Sequence, residues 1–227
     1  MIGAAALSLY DSTIGKKVVM AVSGLILFGF VFIHMLGNLK IYFGEAVINK
    51  YGVELRELGG PILGHEQGLW IARIILLAAV IAHIVSAYQL TMLDNSARPV
   101  AYARRKPQAQ TYASRTMRWG GVIVGLFIIY HIMHLTLGIG GMPFRAGDVY
   151  SNMVLGFRNP IVSGFYMLAM VALAFHIQHG VWSLFQTLGV RNGSNDSFFR
   201  GFATLFAVVI AVGNISIPLS ILLGIVK

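Results

Sequence analysis

The sequence predicts an all-α membrane protein in which five transmembrane helices form one bundle. Of the 227 residues, 57% are hydrophobic and only 11% are charged. The mean hydropathy is +0.75, whereas about a quarter of the residues in a soluble domain are charged. Helices buried in a soluble protein would need a polar outer layer, and too few polar residues remain to form one. The chain has no cysteine, which excludes disulfides, iron–sulfur ligation and covalent c-type haem attachment by this chain.

Five apolar stretches supply the predicted spans. Each is about 20 to 25 residues long, which is enough for a helix to cross a hydrocarbon core of ~30 Å. They cover residues 18–37, 69–93, 119–141, 161–184 and 202–226. The chain, 1–227, is therefore expected to be a single membrane domain. None of its connections is large enough to form a catalytic domain, so any soluble chemistry is expected on another chain.

The basic residues predict a cytoplasmic N-terminus. A dense basic group lies between the second and third spans, and it consists of Arg98, Arg104, Arg105, Lys106, Arg115 and Arg118. Such a group is typical of a cytoplasmic loop. Ten of the 17 lysines and arginines fall on that side and seven on the other. The net charge of +9 is therefore better explained by membrane topology, or by contact with anionic lipid or an acidic partner, than by nucleic-acid binding.

The connection after the first span predicts one further helix. Residues 43–60 read as a short surface helix that Gly59, Gly60 and Pro61 would end. The connection between the third and fourth spans, residues 142–160, is also substantial, and no helix is predicted in it.

Histidines within the spans are the candidate functional residues, because polar side chains inside a membrane are rare and usually face the bundle interior. Four spans carry at least one histidine, and only His65 of the seven lies outside the spans. The six others are His34, His83, His131, His134, His176 and His179. One histidine on each of four spans is the pattern that two bis-histidine haems require.

Small residues on the same spans leave room for a haem, although ordinary close packing of helices in lipid explains them equally well. These residues are Gly24, Gly29 and Gly37 on the first span and Gly120, Gly121 and Gly125 on the third. Since eleven residues are close to three helical turns, Ser23 shares a face with the histidine of the first span.

Depth in the membrane favours a pairing. At about 1.5 Å per residue, His34 lies roughly 25 Å from the inner edge and His131 about 20 Å. His83 and His176 lie at about 16 to 20 Å by the same measure. The pairs favoured are thus His34 with His131 and His83 with His176.

Geometry alone leaves two questions open. Residues three apart lie on roughly one helix face, so the spacing does not choose between His131 and His134, or between His176 and His179. Such a couple could also hold a transition metal, which keeps a histidine-lined metal or proton transporter as the alternative function. That alternative would need acidic partners, and no Asp or Glu lies well inside any span.

Four segments resemble the dihaem cytochrome b membrane anchor of succinate dehydrogenase and fumarate reductase, the type with a single five-helix polypeptide. The similarity covers essentially the whole chain, with its segments in the right order. The segments are "FVFIHMLGNLKIYFG" followed by "NKYGVELREL", then "AHIVSAYQLTMLDNSARPVAY", "SRTMRWGGVIVGLFIIYHIMHLT" and "FHIQHGVWSLFQTLG".

The resemblance implies the axial ligands of two b haems. In the family pattern the ligand precedes a Gly-x-Trp-Ser run by four positions, which here selects His176 before Gly180. The ligand set carried over is His34, His83, His131 and His176, paired first span with third and second with fourth. His134 and His179 would then be hydrogen-bonding neighbours of the haem propionates or of quinone.

The resemblance also implies a complex in a prokaryotic plasma membrane. A flavoprotein subunit with FAD and an iron–sulfur subunit would lie on the cytoplasmic side. This chain would pass electrons through two haems to a membrane quinone, and menaquinone suits such a chain. Candidate quinone donors are His134, His179 and Trp182, with Arg73, Glu66 and His65 as further residues near the membrane faces.

Overall fold

The five predicted transmembrane helices are confirmed in a computed structural model, which describes residues 10–97, 112–139 and 143–227. Seven α-helices lie in those ranges, and five are long and apolar enough to cross a membrane. The five are α1 (Thr13–Asn38), α3 (Gln67–Ser96), α4 (Tyr112–Leu135), α6 (Pro160–Thr187) and α7 (Asp196–Leu222). The two short ones are α2 (Glu45–Glu54) and α5 (Val149–Phe157).

Capping residues explain where several helices begin. The Ser12 hydroxyl accepts a hydrogen bond from the Gly15 amide at the start of α1. At α6, the Asn159 side chain accepts from the Ile161 amide, and Pro160 occupies the first turn, where no amide hydrogen is needed. Helix α1 therefore begins five residues before the predicted apolar stretch, with a polar first turn, and α6 begins one residue before its stretch.

Two predicted spans were too long at their C-terminal ends. The third ends at Leu135 rather than at residue 141, and the fifth at Leu222 rather than at residue 226. In each case a glycine with positive φ follows shortly, Gly138 at 66° and Gly224 at 69°. A left-handed residue at this place is a common way to end a helix, and apolarity alone does not reveal it.

The predicted short helix in residues 43–60 exists, but it ends at Glu54, before the glycines. A 3-10 turn, Leu39–Phe43, joins it to α1. Helix α2 is less exposed than the predicted surface helix, because Ile48 is 1% exposed and α2 packs against α5.

Helix α5 was not predicted. Asp148 caps it by accepting from Ser151, and hydrogen bonds from the side chain and amide of Ser151 hold the pKa of this carboxyl below its usual value. The buried side of α5 carries Met153, Val154 and Phe157.

The five long helices pack unevenly. Helices α1 and α3 form one close pair, α4 and α6 form another, and α7 covers α6 and part of α1. The two pairs meet where α1 touches α6. In the described residues, α1 does not pack closely along α4, nor α3 along α6. Helices α1 and α4 are therefore farther apart than the packed pairs, as are α3 and α6, and we call the separation within each of these two couples a gap.

Candidate functional site

One histidine pair bridges the gap between α1 and α4. The rings of His34 and His131 have centroids 5.7 Å apart and are nearly perpendicular, at 86°. An aromatic ring one helical turn earlier packs beside each of them. Phe30 stacks on His34 with centroids 5.2 Å apart, and Phe127 lies 5.7 Å from His131. We call these two histidines the His34 pair.

A second pair bridges the gap between α3 and α6. The rings of His83 and His176 have centroids 6.1 Å apart at an angle of 66°. We call them the His83 pair. Each pair therefore joins two helices that do not otherwise pack closely, and each joins the two histidines that depth in the membrane assigns to one another.

Glycines on the neighbouring helices make room for the His83 pair. A Cβ atom at Gly24 of α1 would lie 3.3 Å from Cε1 of His83. A Cβ atom at Gly121 of α4 would lie 3.5 Å from Cε1 of His176. Since Gly24 precedes His34 by ten residues along α1, the two pairs are separated by about 15 Å along the helix axis.

Other glycines singled out in the sequence differ in their surroundings. A Cβ atom at Gly29 or Gly125 would meet no atom within 4 Å, so these positions border open space. Gly37 instead packs directly on the ring of Tyr51. A side chain at either of the first two positions would therefore meet no neighbouring atom, whereas one at Gly37 would clash.

Hydrogen bonding at Nδ1 differs between the histidines. Nδ1 of His83 lies 3.2 Å from the Met20 carbonyl and 3.3 Å from Oγ of Ser23. Because a carbonyl can only accept, this nitrogen carries the hydrogen and Nε2 is left with a free lone pair. Within the described parts of the chain, the buried Nδ1 atoms of His131 and His176 have no hydrogen-bond partner. The Met117 main chain interacts with the His176 ring, but without hydrogen-bond geometry at Nδ1.

The spacing of the two rings in each pair is compatible with axial ligation of a haem iron by two imidazoles. A metal–imidazole bond is ~2.0 Å long, so two imidazoles on one ion have ring centres about 6 Å apart. The observed 5.7 and 6.1 Å match this separation. Among the described residues, no three His, Cys, Asp or Glu side chains converge as a metal-binding group. The donors are thus arranged in twos, as axial ligation requires.

The two additional span histidines occupy different environments. His134 is only 3% exposed, its Nδ1 lies 2.9 Å from the hydroxyl of Tyr166, and Gly156 packs against the opposite side of its ring. His179 is half-buried and has its ring 6.0 Å from that of Trp182. The structure therefore encloses His134 in protein and leaves part of His179 accessible.

Trp182 belongs to a charged cluster at the end of α6. Its indole N–H donates to Asp196 at 3.0 Å. The guanidinium groups of Arg191 and Arg200 lie 4.4 and 4.3 Å from its ring centre, and both also pair with Asp196. The only hydrogen-bond donor of this side chain is thus already engaged.

The remaining candidate quinone donors lie near the start of α3. His65 Nδ1 contacts Glu57 at 2.6 Å and Arg56 contacts Glu66 at 3.2 Å. Arg73 lies over the ring of Trp70. The structure does not bring these residues together with His134, His179 or Trp182 in a hydrogen bond, ion pair or ring contact among the described residues.

Most of the predicted basic loop lies outside the described residues. Arg98, Arg104, Arg105 and Lys106 lie outside the described residues, as does the side chain of Arg115. Arg118 lies inside them and contacts Asp94 at 3.5 Å.

The family of succinate dehydrogenase/fumarate reductase transmembrane subunits matches residues 94–214. This is more than half of the chain. The protein belongs to this family. The match contains His131 and His176, whereas His34 and His83 lie before it. Searches of curated proteins and of solved structures gave no match.

Family membership confirms the resemblance to a membrane-anchor subunit of succinate dehydrogenase and fumarate reductase. The protein is a multi-pass membrane subunit of a succinate dehydrogenase/fumarate reductase complex. The dicarboxylate chemistry of that complex belongs to partner chains.

Proposed function

We propose that this succinate dehydrogenase/fumarate reductase transmembrane subunit is the dihaem cytochrome b and quinone-reactive part of its complex. The observation that carries the proposal is the pairing of four histidines from four helices into two facing couples, 5.7 and 6.1 Å between ring centres. His34 and His131 would hold one b haem, and His83 and His176 the other.

Each haem, when bound, supplies a reversible one-electron couple, for which two neutral imidazoles are suitable axial ligands. The chain's own residues hold the imidazoles in place. The Met20 carbonyl and Ser23 fix the His83 ring by hydrogen bonds, and Phe30 packs on His34. The four rings lie between helices of the bundle and are half-buried.

The proposed complex has a flavoprotein with FAD, an iron–sulfur subunit and this membrane chain. Electrons taken from succinate would pass by the iron–sulfur subunit into the membrane chain and reach a quinone there, with menaquinone as the proposed acceptor. The proposed location is a prokaryotic plasma membrane with the soluble subunits on the cytoplasmic side.

Among the three main quinone candidates, His179 is the one that we retain. Its ring is half-buried, and no hydrogen bond to it occurs among the described residues. His134 is bonded to Tyr166, and Trp182 is bonded to Asp196. A free imidazole nitrogen near the membrane edge is a suitable donor for a quinone carbonyl.

The haem content of the purified complex tests this proposal. A dithionite-reduced minus oxidised spectrum with pyridine haemochrome quantitation is expected to give two b haems per transmembrane chain. One haem would mean that one histidine couple is structural. A complex without haem, prepared with adequate haem supply, would refute the proposal and favour the transporter alternative.

A further inference from the structure

Helices α1 and α4 repeat the same local pattern. In each helix a glycine precedes the histidine by ten residues, and a phenylalanine precedes it by four. The residues are Gly24, Phe30 and His34 on α1, and Gly121, Phe127 and His131 on α4.

The repeat extends to the partners of these helices. Gly24 of α1 lies against His83 of α3, and Gly121 of α4 lies against His176 of α6. The distances from each glycine's Cβ position to Cε1 and Nδ1 are 3.3 and 3.5 Å in the first case and 3.5 and 3.8 Å in the second. His83 and His176 therefore occupy equivalent places, each packed on a glycine of the neighbouring helix.

One position breaks the equivalence. Ser23 precedes Gly24, whereas Gly120 precedes Gly121. The Ser23 hydroxyl donates to the Val19 carbonyl at 2.7 Å, so its oxygen is free to accept from Nδ1 of His83 at 3.3 Å. His176 has no hydroxyl beside it, since position 120 carries no side chain. The Met117 main chain interacts with the ring of His176, but its buried Nδ1 is unpartnered among the described residues.

We infer that Ser23 is a positioning residue that tunes one of the two redox centres through His83. This inference rests on the proposed haem ligation. A hydrogen bond from Nδ1 of a ligating imidazole raises the basicity of the ring. A more basic ligand stabilises the ferric over the ferrous state, so the hydroxyl of Ser23 lowers the midpoint potential of the His83-pair haem.

Because the pattern repeats, a hydroxyl acceptor can be removed from one helix and added at the equivalent position of the other. Ser23→Ala removes the hydroxyl acceptor beside His83 and leaves the Met20 carbonyl, at 3.2 Å, in place, whereas Gly120→Ser adds a hydroxyl beside His176. A Cβ atom at Gly120 would meet only the Ala172 carbonyl, at 3.9 Å, so the added side chain has room. The first substitution is expected to raise the midpoint potential of one haem, and the second to lower the potential of that same haem.

The experiment is an equilibrium redox titration of the purified complex, followed at the α band, with haem content measured separately. Ser220→Ala is the matched control, because the hydroxyl of this buried serine of α7 bonds only to the Ile217 carbonyl among the described residues. It should leave both waves in place, and Ser23→Thr should restore the wave that Ser23→Ala moves. If Gly120→Ser does not assemble, the two Ser23 variants decide.

The possible outcomes distinguish failure of the dihaem proposal from failure of the role inferred for Ser23. A wild-type complex without two b haems refutes the proposed function itself. A complex with two haems whose midpoint potentials are both unchanged in Ser23→Ala would overturn the role of Ser23 and leave the dihaem proposal intact. The same conclusion would follow if Ser23→Ala and Gly120→Ser shifted the potentials of different haems.

Discussion

The buried imidazole of His134 is held by the hydroxyl of Tyr166, with 2.9 Å between Nδ1 and Oη. Both residues are enclosed, at 3% and 5% exposure. Tyr166 also lies edge-on to the ring of His131, with centroids 5.9 Å apart. This hydrogen bond therefore connects the additional histidine of α4 to the surroundings of the His34 pair.

Removing that bond is expected to destabilise the chain without removing haem. Tyr166→Phe leaves a buried imidazole nitrogen unsatisfied, which costs about 1–3 kcal/mol. The temperature of half-inactivation of the solubilised complex should fall, while the two haems remain. Tyr42→Phe is the control, since its hydroxyl bonds to Ser216 at an exposed site and its loss should have little effect. An equal fall in the half-inactivation temperature of both variants would show that the hydrogen bond of Tyr166 contributes no more to stability than the exposed one of Tyr42.

A larger side chain at position 24 is expected to cause the loss of one haem. An added Cβ atom would lie 3.3 Å from the ring of His83, and the two further methyl groups of Gly24→Val would displace the imidazole. Haem content is expected to fall from two to one per chain. Gly201→Val on α7, where a Cβ atom meets nothing within 4 Å, should retain both. Two haems in Gly24→Val would mean that His83 is not a ligand.

The two histidines of α6 are expected to differ in function. His176→Ala should lose one haem, and with it much of the assembled complex. His179→Ala should retain both haems and lower the rate of quinone turnover. Haem quantitation and a quinone-dependent activity assay distinguish the two variants. The reverse pattern, with haem lost only from His179→Ala, would exchange their roles.

Trp182 is expected to contribute to stability and not to quinone binding. Its N–H is bonded to Asp196, so Trp182→Phe should lower the half-inactivation temperature while the KM for quinone stays unchanged. His179→Ala serves as the comparison in the same assay. A raised KM in Trp182→Phe would return this residue to the quinone site.

The sequence was informative about the spans because hydrocarbon thickness sets a minimum length for an apolar helix. It was less informative about helix ends. The third span stops at Leu135, shortly before Gly138 adopts a left-handed conformation, although residues 136–141 are uncharged and belong to the predicted apolar stretch. Helix α5 escaped prediction because its apolar face meets α2 and α6 rather than lipid, and it is only nine residues long.

The histidine arrangement was partly readable from the sequence. Position along each span indicated which rings share a depth, and the structure brings those rings together. The contact of Gly24 with His83 was not predicted, because it depends on which helices are neighbours. A signal did exist in the glycine–phenylalanine–histidine spacing that α1 and α4 share. The engagement of Trp182 by Asp196 had no signal, since a residue of α7 must fold back onto α6 to make it.

The proposed function requires that the four histidines form two separate haem sites with defined partners. The most direct test compares the haem content of two double variants of the complex. His34→Ala combined with His131→Ala should leave one b haem per chain, because both changes fall on one site. His34→Ala combined with His83→Ala should leave none, because each site loses a ligand. Equal haem content in the two double variants would contradict the pairing, and two haems in either would contradict ligation by these residues.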